Sequence, residues 1–246
     1  MRLQQLTRTS RRWIRRVIYA GASCYCPCCG SRVKRFLPYP LGKPGRTPRL
    51  NARCPVCGAL ERHRLIVQYL RDRTNLWTAP NMRLLHVAPE SHLTRMFRAA
   101  AHVQYVSIDL SKARRPRLRA NLEQLAFRDA SFDAIYCSHV LEHVPDDRQA
   151  MRELHRVLKP GGWAILQVPI IRETTYEDPT ITSEVARLAA YGQHDHVRAY
   201  GRDYANRLAE AGFTVNIDAY VRSLPESERR RCGFMQSEDI YICRRS

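Results

Sequence analysis

Apolar and polar positions change character near residue 81. Downstream, short apolar runs alternate with amphipathic stretches. Residues 82–88, 103–108, 118–122, 132–137 and 163–168 predict five strands. Helices are predicted in the intervals. One starts at Ser91 as N-cap, one runs over 146–158 and stops at Lys159-Pro160-Gly161-Gly162, and one runs over 202–211 and stops at Gly212. Residues 213–221 and 239–243 read as two late strands with no helical pattern between them. Alternating strands and helices argue a parallel, doubly wound sheet. The last two strands, joined by a polar connection, predict a terminal antiparallel hairpin.

Upstream, residues 59–73 read as a helix with Leu60, Leu65, Ile66, Tyr69 and Leu70 on one face. At the N-terminus Leu3, Leu6, Trp13, Ile14, Val17 and Ile18 can form one stripe, with Arg8, Arg11, Arg12, Arg15 and Arg16 around it. That helix either packs its stripe on its own domain or meets an anionic membrane surface or RNA. Ser10-Arg11-Arg12-Trp13-Ile14 faintly resembles an export signal. Arg15 and Arg16 interrupt the apolar core such a signal needs, so retention in the cytoplasm is expected, with peripheral docking at the inner membrane face as an option.

Composition changes this picture once charge is divided along the chain. The 246 residues carry a net charge of +18, which points to a polyanion-binding protein. Residues 1–60 hold 13 Lys and Arg and no acidic residue, so the remainder carries only +5. The charge belongs to an N-terminal appendage.

That appendage contains a repeated motif. Cys26-Pro27-Cys28-Cys29-Gly30 and Cys54-Pro55-Val56-Cys57-Gly58 both read C-P-x-C-G. Each turn can present two thiolates to one ion, with the glycine taking the left-handed conformation the turn requires. Cys26, Cys29, Cys54 and Cys57 are therefore expected to hold a structural Zn2+, with disulfides or free thiols as alternatives. Cys24 and Cys28 lie close enough to compete. Between the two turns, residues 32–53 read as an extended basic loop or hairpin. Cys137, Cys232 and Cys243 read as buried small hydrophobes.

Three segments of the larger region carry a resemblance. They are Asp129-Ala-Ser-Phe-Asp133-Ala-Ile-Tyr, Ser138-His-Val-Leu-Glu-His-Val-Pro-Asp146 and Glu153-Leu-His-Arg-Val-Leu-Lys-Pro-Gly-Gly162. They resemble the fourth-to-fifth-strand signature of the type 11 family of class I S-adenosyl-L-methionine (SAM)-dependent methyltransferases. With the C-P-x-C-G pair and Leu60-Glu-Arg-His-Arg, the whole chain further resembles a bacterial subgroup of that family. The resemblance implies an α/β, Rossmann-like seven-stranded sheet with a terminal antiparallel hairpin, preceded by a small zinc ribbon. The expected organisation is a basic amphipathic helix over 1–20, a zinc-ribbon-like module over 21–60, a linker helix over 61–80 and a methyltransferase domain over 81–246.

The resemblance also implies a site. The family's first loop is glycine-rich, whereas here it reads Ala88-Pro89-Glu90, an altered cofactor loop or the mark of a domain that has lost SAM. Asp109 ends the second strand, where a carboxylate accepts hydrogen bonds from ribose hydroxyls, and Leu110 follows, against adenine. Asn121 and Leu122 would hold and cover the adenine edge. Ser138 and His139 would lie beside the methionine moiety, and Glu90 would meet its amino group. His139, His143, His194, His196 and Tyr176 are the candidate catalytic groups, since a hydroxyl acceptor needs a base and histidine titrates near neutrality. Glu173, Tyr176, Glu177 and Asp178 offer acceptors to a sugar-like substrate, and Arg198 and Tyr200 could meet a phosphate or carboxylate. Three functions stay open: methyl transfer to an oxygen of a small metabolite, glycan or lipid-linked acceptor; RNA methylation guided by the basic zinc module; and a SAM-free scaffold.

Overall fold

The computed structural model describes residues 8–40, 47–111 and 116–246. Leu3, Leu6 and residues 41–46 of the basic stretch lie outside the described residues. The chain divides into two compact units.

The larger unit comprises residues 79–90, 100–218 and 240–246. The predicted elements and those found agree closely in its first half. Strands β5 (Met82–Val87), β6 (Val103–Asp109), β7 (Leu118–Arg119), β8 (Phe132–Ser138), β9 (Leu158–Gln167), β12 (Thr214–Asp218) and β13 (Ile240–Arg244) form one sheet in the order β12-β13-β9-β8-β5-β6-β7. All neighbours are parallel except β13, which runs antiparallel to both β9 and β12. This is the Rossmann-like methyltransferase fold expected. Helices α4 (Asp147–Val157), α5 (Glu184–Tyr191) and α6 (Tyr204–Glu210) complete the unit, with the short pair β10 (Ile170–Arg172) and β11 (Tyr200–Gly201). Asp146 caps α4 by accepting the Gln149 N–H at 2.9 Å. One face of the sheet buries Leu85, Ile135, Leu154, Leu166, Tyr204 and Phe213 in the main core.

The smaller unit comprises residues 1–78, 91–99 and 219–239. It holds α1 (Arg8–Ile18), β1 (Ala20–Cys26), β2 (Ser31–Val33), β3 (Leu37–Tyr39), β4 (Arg49–Arg53), α2 (Glu61–Arg73), α3 (Ser91–Ala99), α7 (Tyr220–Ser223) and α8 (Glu226–Cys232). The β1–β2 and β3–β4 pairs are antiparallel, so the basic stretch does form a hairpin.

Three expectations need correction here. The residues between the last two strands are not a plain polar connection but contain α7 and α8, whose short, arginine-rich sequences give no apolar periodicity. Residues 61–80 are not a linker. Helix α2 buries Glu61, His63, Arg64, Leu65, Ile66, Val67, Tyr69 and Leu70, which is burial around most of its circumference. Its centre is Arg64, fully buried, whose guanidinium donates to the carbonyls of Cys232 (2.6 Å), Ala52 (2.7 Å), Gly233 (2.9 Å), Ala59 (3.0 Å) and Asn51 (3.3 Å) and stacks 3.8 Å from the Phe36 ring centroid. Finally, the stripe on α1 is not packed away, because Trp13, Val17 and Ile18 are 67%, 58% and 60% exposed. No helix among the described residues is long and apolar enough to cross a membrane.

Candidate functional site

A cavity of about 570 Å³ opens where β5, β6, β7 and β8 end, at the point where the sheet order reverses. Its wall includes Val87 and Ala88 after β5, Asp109 and Leu110 after β6, Asn121 to Glu123 after β7, and His139, Val140 and His143 after β8. Two non-glycine residues on this wall adopt left-handed backbone, Ala88 (φ +50°) and His139 (φ +54°). The Ala88 N–H donates to the Ile108 carbonyl at 2.8 Å and the His139 N–H to the Gln167 carbonyl at 2.8 Å, which hold these turns in place. Ala88 thus keeps the backbone shape of a glycine turn with the smallest possible side chain.

The expected cofactor residues separate into two groups. Ala88, Asp109, Leu110, Asn121, Leu122 and His139 all face the cavity. Asp109 is half-buried, and its Oδ1 accepts the Ser111 N–H at 2.7 Å. Asn121 is engaged with Glu123, donating to Oε2 at 3.1 Å and accepting that residue's N–H at 3.1 Å. Pro89, Glu90 and Ser138 do not line the cavity. Glu90 lies 3.1 Å from His86 Nε2, and the fully buried His86 ring meets the Tyr105 hydroxyl at 3.0 Å on its other side. In this geometry Glu90 partners a buried imidazole.

The acceptor-rich segment after β9 is also largely engaged internally. Glu177 pairs with Arg198 (2.9 Å) and Arg207 (2.8 Å), Glu173 with Arg202 (3.0 Å), and the Asp178 carboxylate with the Thr180 hydroxyl (2.6 Å) and N–H (2.8 Å). Arg198, expected to meet a substrate anion, is 3% exposed and donates to the carbonyls of Leu141 (2.8 Å), Val144 (2.5 Å) and Pro145 (2.8 Å). The Tyr200 hydroxyl donates to Asp147 at 2.6 Å. Arg198 and Tyr200 therefore clamp residues 196–200 to the turn after β8. Burial and the adjacent Asp147 push the Tyr200 phenol well above its ordinary value, so it stays protonated.

Of the candidate catalytic groups, His194 is exposed and Tyr176 stands at the surface, 5.0 Å beneath the Arg172 guanidinium. The clamp brings the other three together. His143 and His196 meet edge to face with ring centroids 4.7 Å apart, and His139 Nδ1 lies 3.3 Å from Glu142 Oε1. Burial depresses the His196 imidazole, opposed by the charge of Glu142, so the ring is neutral near pH 7. Glu142 escaped notice as a site residue. The signal was present: His194-x-His196 needed a further partner, and Glu142-His143 lies in the quoted segment.

The four cysteines of the smaller unit converge. Sγ of Cys26 lies 3.7 Å from Sγ of Cys57, and Sγ of Cys29 lies 3.9 Å from Sγ of Cys54. A tetrahedron with Zn–S bonds of about 2.3 Å has edges of about 3.8 Å, so the sulfurs stand at the spacing of a four-thiolate zinc centre. Gly30 (φ +66°) and Gly58 (φ +82°) take the left-handed conformation, and their N–H groups return to the Cys26 and Cys54 carbonyls at 2.8 and 2.9 Å. All nine cysteines are unbridged. Cys28 does not compete, because its thiol donates to the His63 carbonyl at 3.3 Å, and Cys24 is outside the cluster.

Residues 87–166 match the type 11 methyltransferase family, whose description is a methyltransferase domain. The match covers about a third of the chain, most of it within the larger unit. The chain is 38% identical over 78 residues to a ubiquinone biosynthesis O-methyltransferase of Paraburkholderia phymatum, covering 31% of this chain and 34% of that protein. It is 51% identical over 45 residues to a ubiquinone/menaquinone biosynthesis C-methyltransferase of Bartonella quintana, covering 18% of this chain and 17% of that protein. The chain thus spans about a third or less of these relatives. A SAM-dependent methyltransferase structure from Archaeoglobus fulgidus is similar at 13% identity and a TM-score of 0.48, covering 73% of this chain and 92% of that one.

Proposed function

We propose that the protein is a SAM-dependent methyltransferase acting on an oxygen of a small metabolite, glycan or lipid-linked acceptor. The observation that carries this reading is the cavity at the sheet's switch point, inside the family match, with Asp109 on its wall. Asp109 would accept the ribose hydroxyls, Leu110 and Leu122 would enclose the adenine, and the Ala88 turn would let backbone approach the cofactor. When bound, SAM supplies an electrophilic methyl group. The chain's part is to align the acceptor and, for a hydroxyl, to take its proton, a role that suits the neutral His196 or the cavity-facing His139 and His143. One relative is named for O-methylation and another for C-methylation, and the histidine cluster favours an acceptor with a proton to lose.

Incubation with labelled SAM and fractionated extract tests this. Label in small molecules or lipids supports it, and label only in RNA refutes the acceptor class. RNA is the second reading, favoured by a groove in the smaller unit lined by Tyr25, Arg32, Arg71 and Arg231. The reading also assigns a structural zinc ion to Cys26, Cys29, Cys54 and Cys57, and a docking role to the exposed basic helix α1, the inner membrane face being one candidate surface.

A further inference from the structure

We propose that Glu142, His143 and His196 bind one divalent transition-metal cation beside the cavity, which His143 lines, separate from the four-cysteine centre. One potential ligand atom from each of the three residues lies within 4.8 Å of the others. Sites of this donor type have edges of about 3.4 Å, which small rotations of the two rings would reach. The decisive observation is Glu142. It is 1% exposed, and neither carboxylate oxygen accepts a hydrogen bond among the described residues, with His139 Nδ1 standing 3.3 Å from Oε1. A buried carboxylate without donors is costly. A cation between it and two imidazoles removes that cost.

The surroundings are built as an outer shell would be. The Val197 N–H donates to the Glu142 carbonyl at 2.9 Å, and Arg198 holds the carbonyls of Leu141 and Val144 on either side. Both ligand-bearing segments are thereby fixed to each other. Asp195 orients the His143 ring through its carbonyl (3.2 Å) and carboxylate (3.4 Å) at Nδ1, as outer-sphere groups do for metal-bound imidazoles. Gln193 Nε2 lies 2.6 Å from His196 Nε2, so coordination at that nitrogen exchanges one amide contact for a metal bond. Two imidazoles and one carboxylate suit zinc, manganese or ferrous iron better than magnesium or calcium, and leave positions open.

His143 lines the cavity, so those positions face a substrate. Resting on the methyltransferase reading, this defines the acceptor as one with a hydroxyl able to bind a metal. Coordination lowers the hydroxyl pKa, its proton passes to His139, the cavity-facing histidine that is not a ligand, the oxygen bonds to the methyl carbon, and the sulfur keeps the electron pair of the broken C–S bond.

The test is a titration of the zinc-loaded full chain with Mn2+, with free ion read by electron paramagnetic resonance. One bound Mn2+ per chain is expected, weakened on the order of 100-fold by Glu142→Gln, His196→Gln and His143→Asn. The His143 side chain is one-third exposed, so its variant leaves the core intact. Broadening of the His143 and His196 ring resonances by Mn2+ locates the ion without any substitution. No Mn2+ binding below about 1 mM, or binding unchanged in the His143 variant, overturns the proposal. Mn2+ binding in a protein that does not bind SAM would leave the cation site standing and refute the methyltransferase reading instead.

Discussion

Asp109→Ala should weaken SAM binding by about 100-fold. One carboxylate oxygen of Asp109 accepts the Ser111 N–H at 2.7 Å, and in the proposed reading the pair of ribose hydroxyls would bond the same carboxylate. Hydrogen bonds to a charged group are worth about 1.5–3 kcal/mol each. Two of them would give about 3–6 kcal/mol, and the half-buried setting of Asp109 points to the lower end. A loss of about 3 kcal/mol is slightly more than two decades in affinity. Asp109→Asn keeps one acceptor oxygen and should lose about half as much free energy. Isothermal calorimetry reads both, with thermal unfolding confirming that the variants fold. Affinities within about threefold of the parent for Asp109→Ala would refute the ribose assignment, because no arrangement in which both hydroxyls meet this carboxylate survives so small a change.

Ala88→Gly should stabilise the larger unit by about 1 kcal/mol, since Ala88 occupies left-handed backbone at φ +50°; urea unfolding measures it. Arg64→Met should destabilise the smaller unit by on the order of 3 kcal/mol, leaving five carbonyls without their donor at nearly conserved volume. Chelation, or Cys57→Ser, should release one zinc per chain and abolish cooperative unfolding of that unit, read by a colorimetric zinc assay and circular dichroism. Burial pushes the Glu177 carboxyl up, but its ion pairs with Arg207 and Arg198 prevail and hold it at about 2. Its folded value is depressed, so the stability it contributes is full above its unfolded value of about 4.3 and is lost as pH falls toward 2. Glu177→Gln should therefore flatten the acid limb of stability between those values, as urea midpoints at pH 6, 4 and 3 would show.

The sheet was legible because its strands are apolar runs separated by strong stops. Lys159-Pro160-Gly161-Gly162 marks the end of α4, although β9 begins at Leu158 and runs through that segment. The four cysteines were legible because their spacing repeats. Helices α7 and α8 were not, because four- and seven-residue helices held by tertiary contact carry no periodicity of their own. Arg198 was misread for a related reason. An arginine in a polar segment is ordinarily a surface group, and only the fold shows three carbonyls converging on this one. Glu142 is legible only as the neighbour of His143, because what marks it, a buried carboxylate with no hydrogen-bond partner among the described residues, is a property no linear pattern records.

Arg64 and the cysteine centre explain each other. A guanidinium buried without a carboxylate bonded to it is unusual, since its charge needs compensation. Burial lowers the Arg64 pKa, while the nearby cysteines and Glu61 raise it. Zinc held by four thiolates carries a net charge of −2, so the loaded centre supplies the counter-charge that five neutral carbonyls cannot. The zinc proposed for this centre would therefore do more than join two turns: it would support an arginine that ties β4 and the residues after it to α8. Arg64, just beyond the basic first 60 residues, is structural, while Arg11, Arg15 and Arg16 surround the exposed Trp13, Val17 and Ile18. Chelation should then loosen the contacts of Arg64 before the larger unit is affected. Hydrogen exchange at residues 51–60 and 229–234 should rise on zinc removal while residues 132–138 stay protected, and equal loss of protection in both would contradict this coupling.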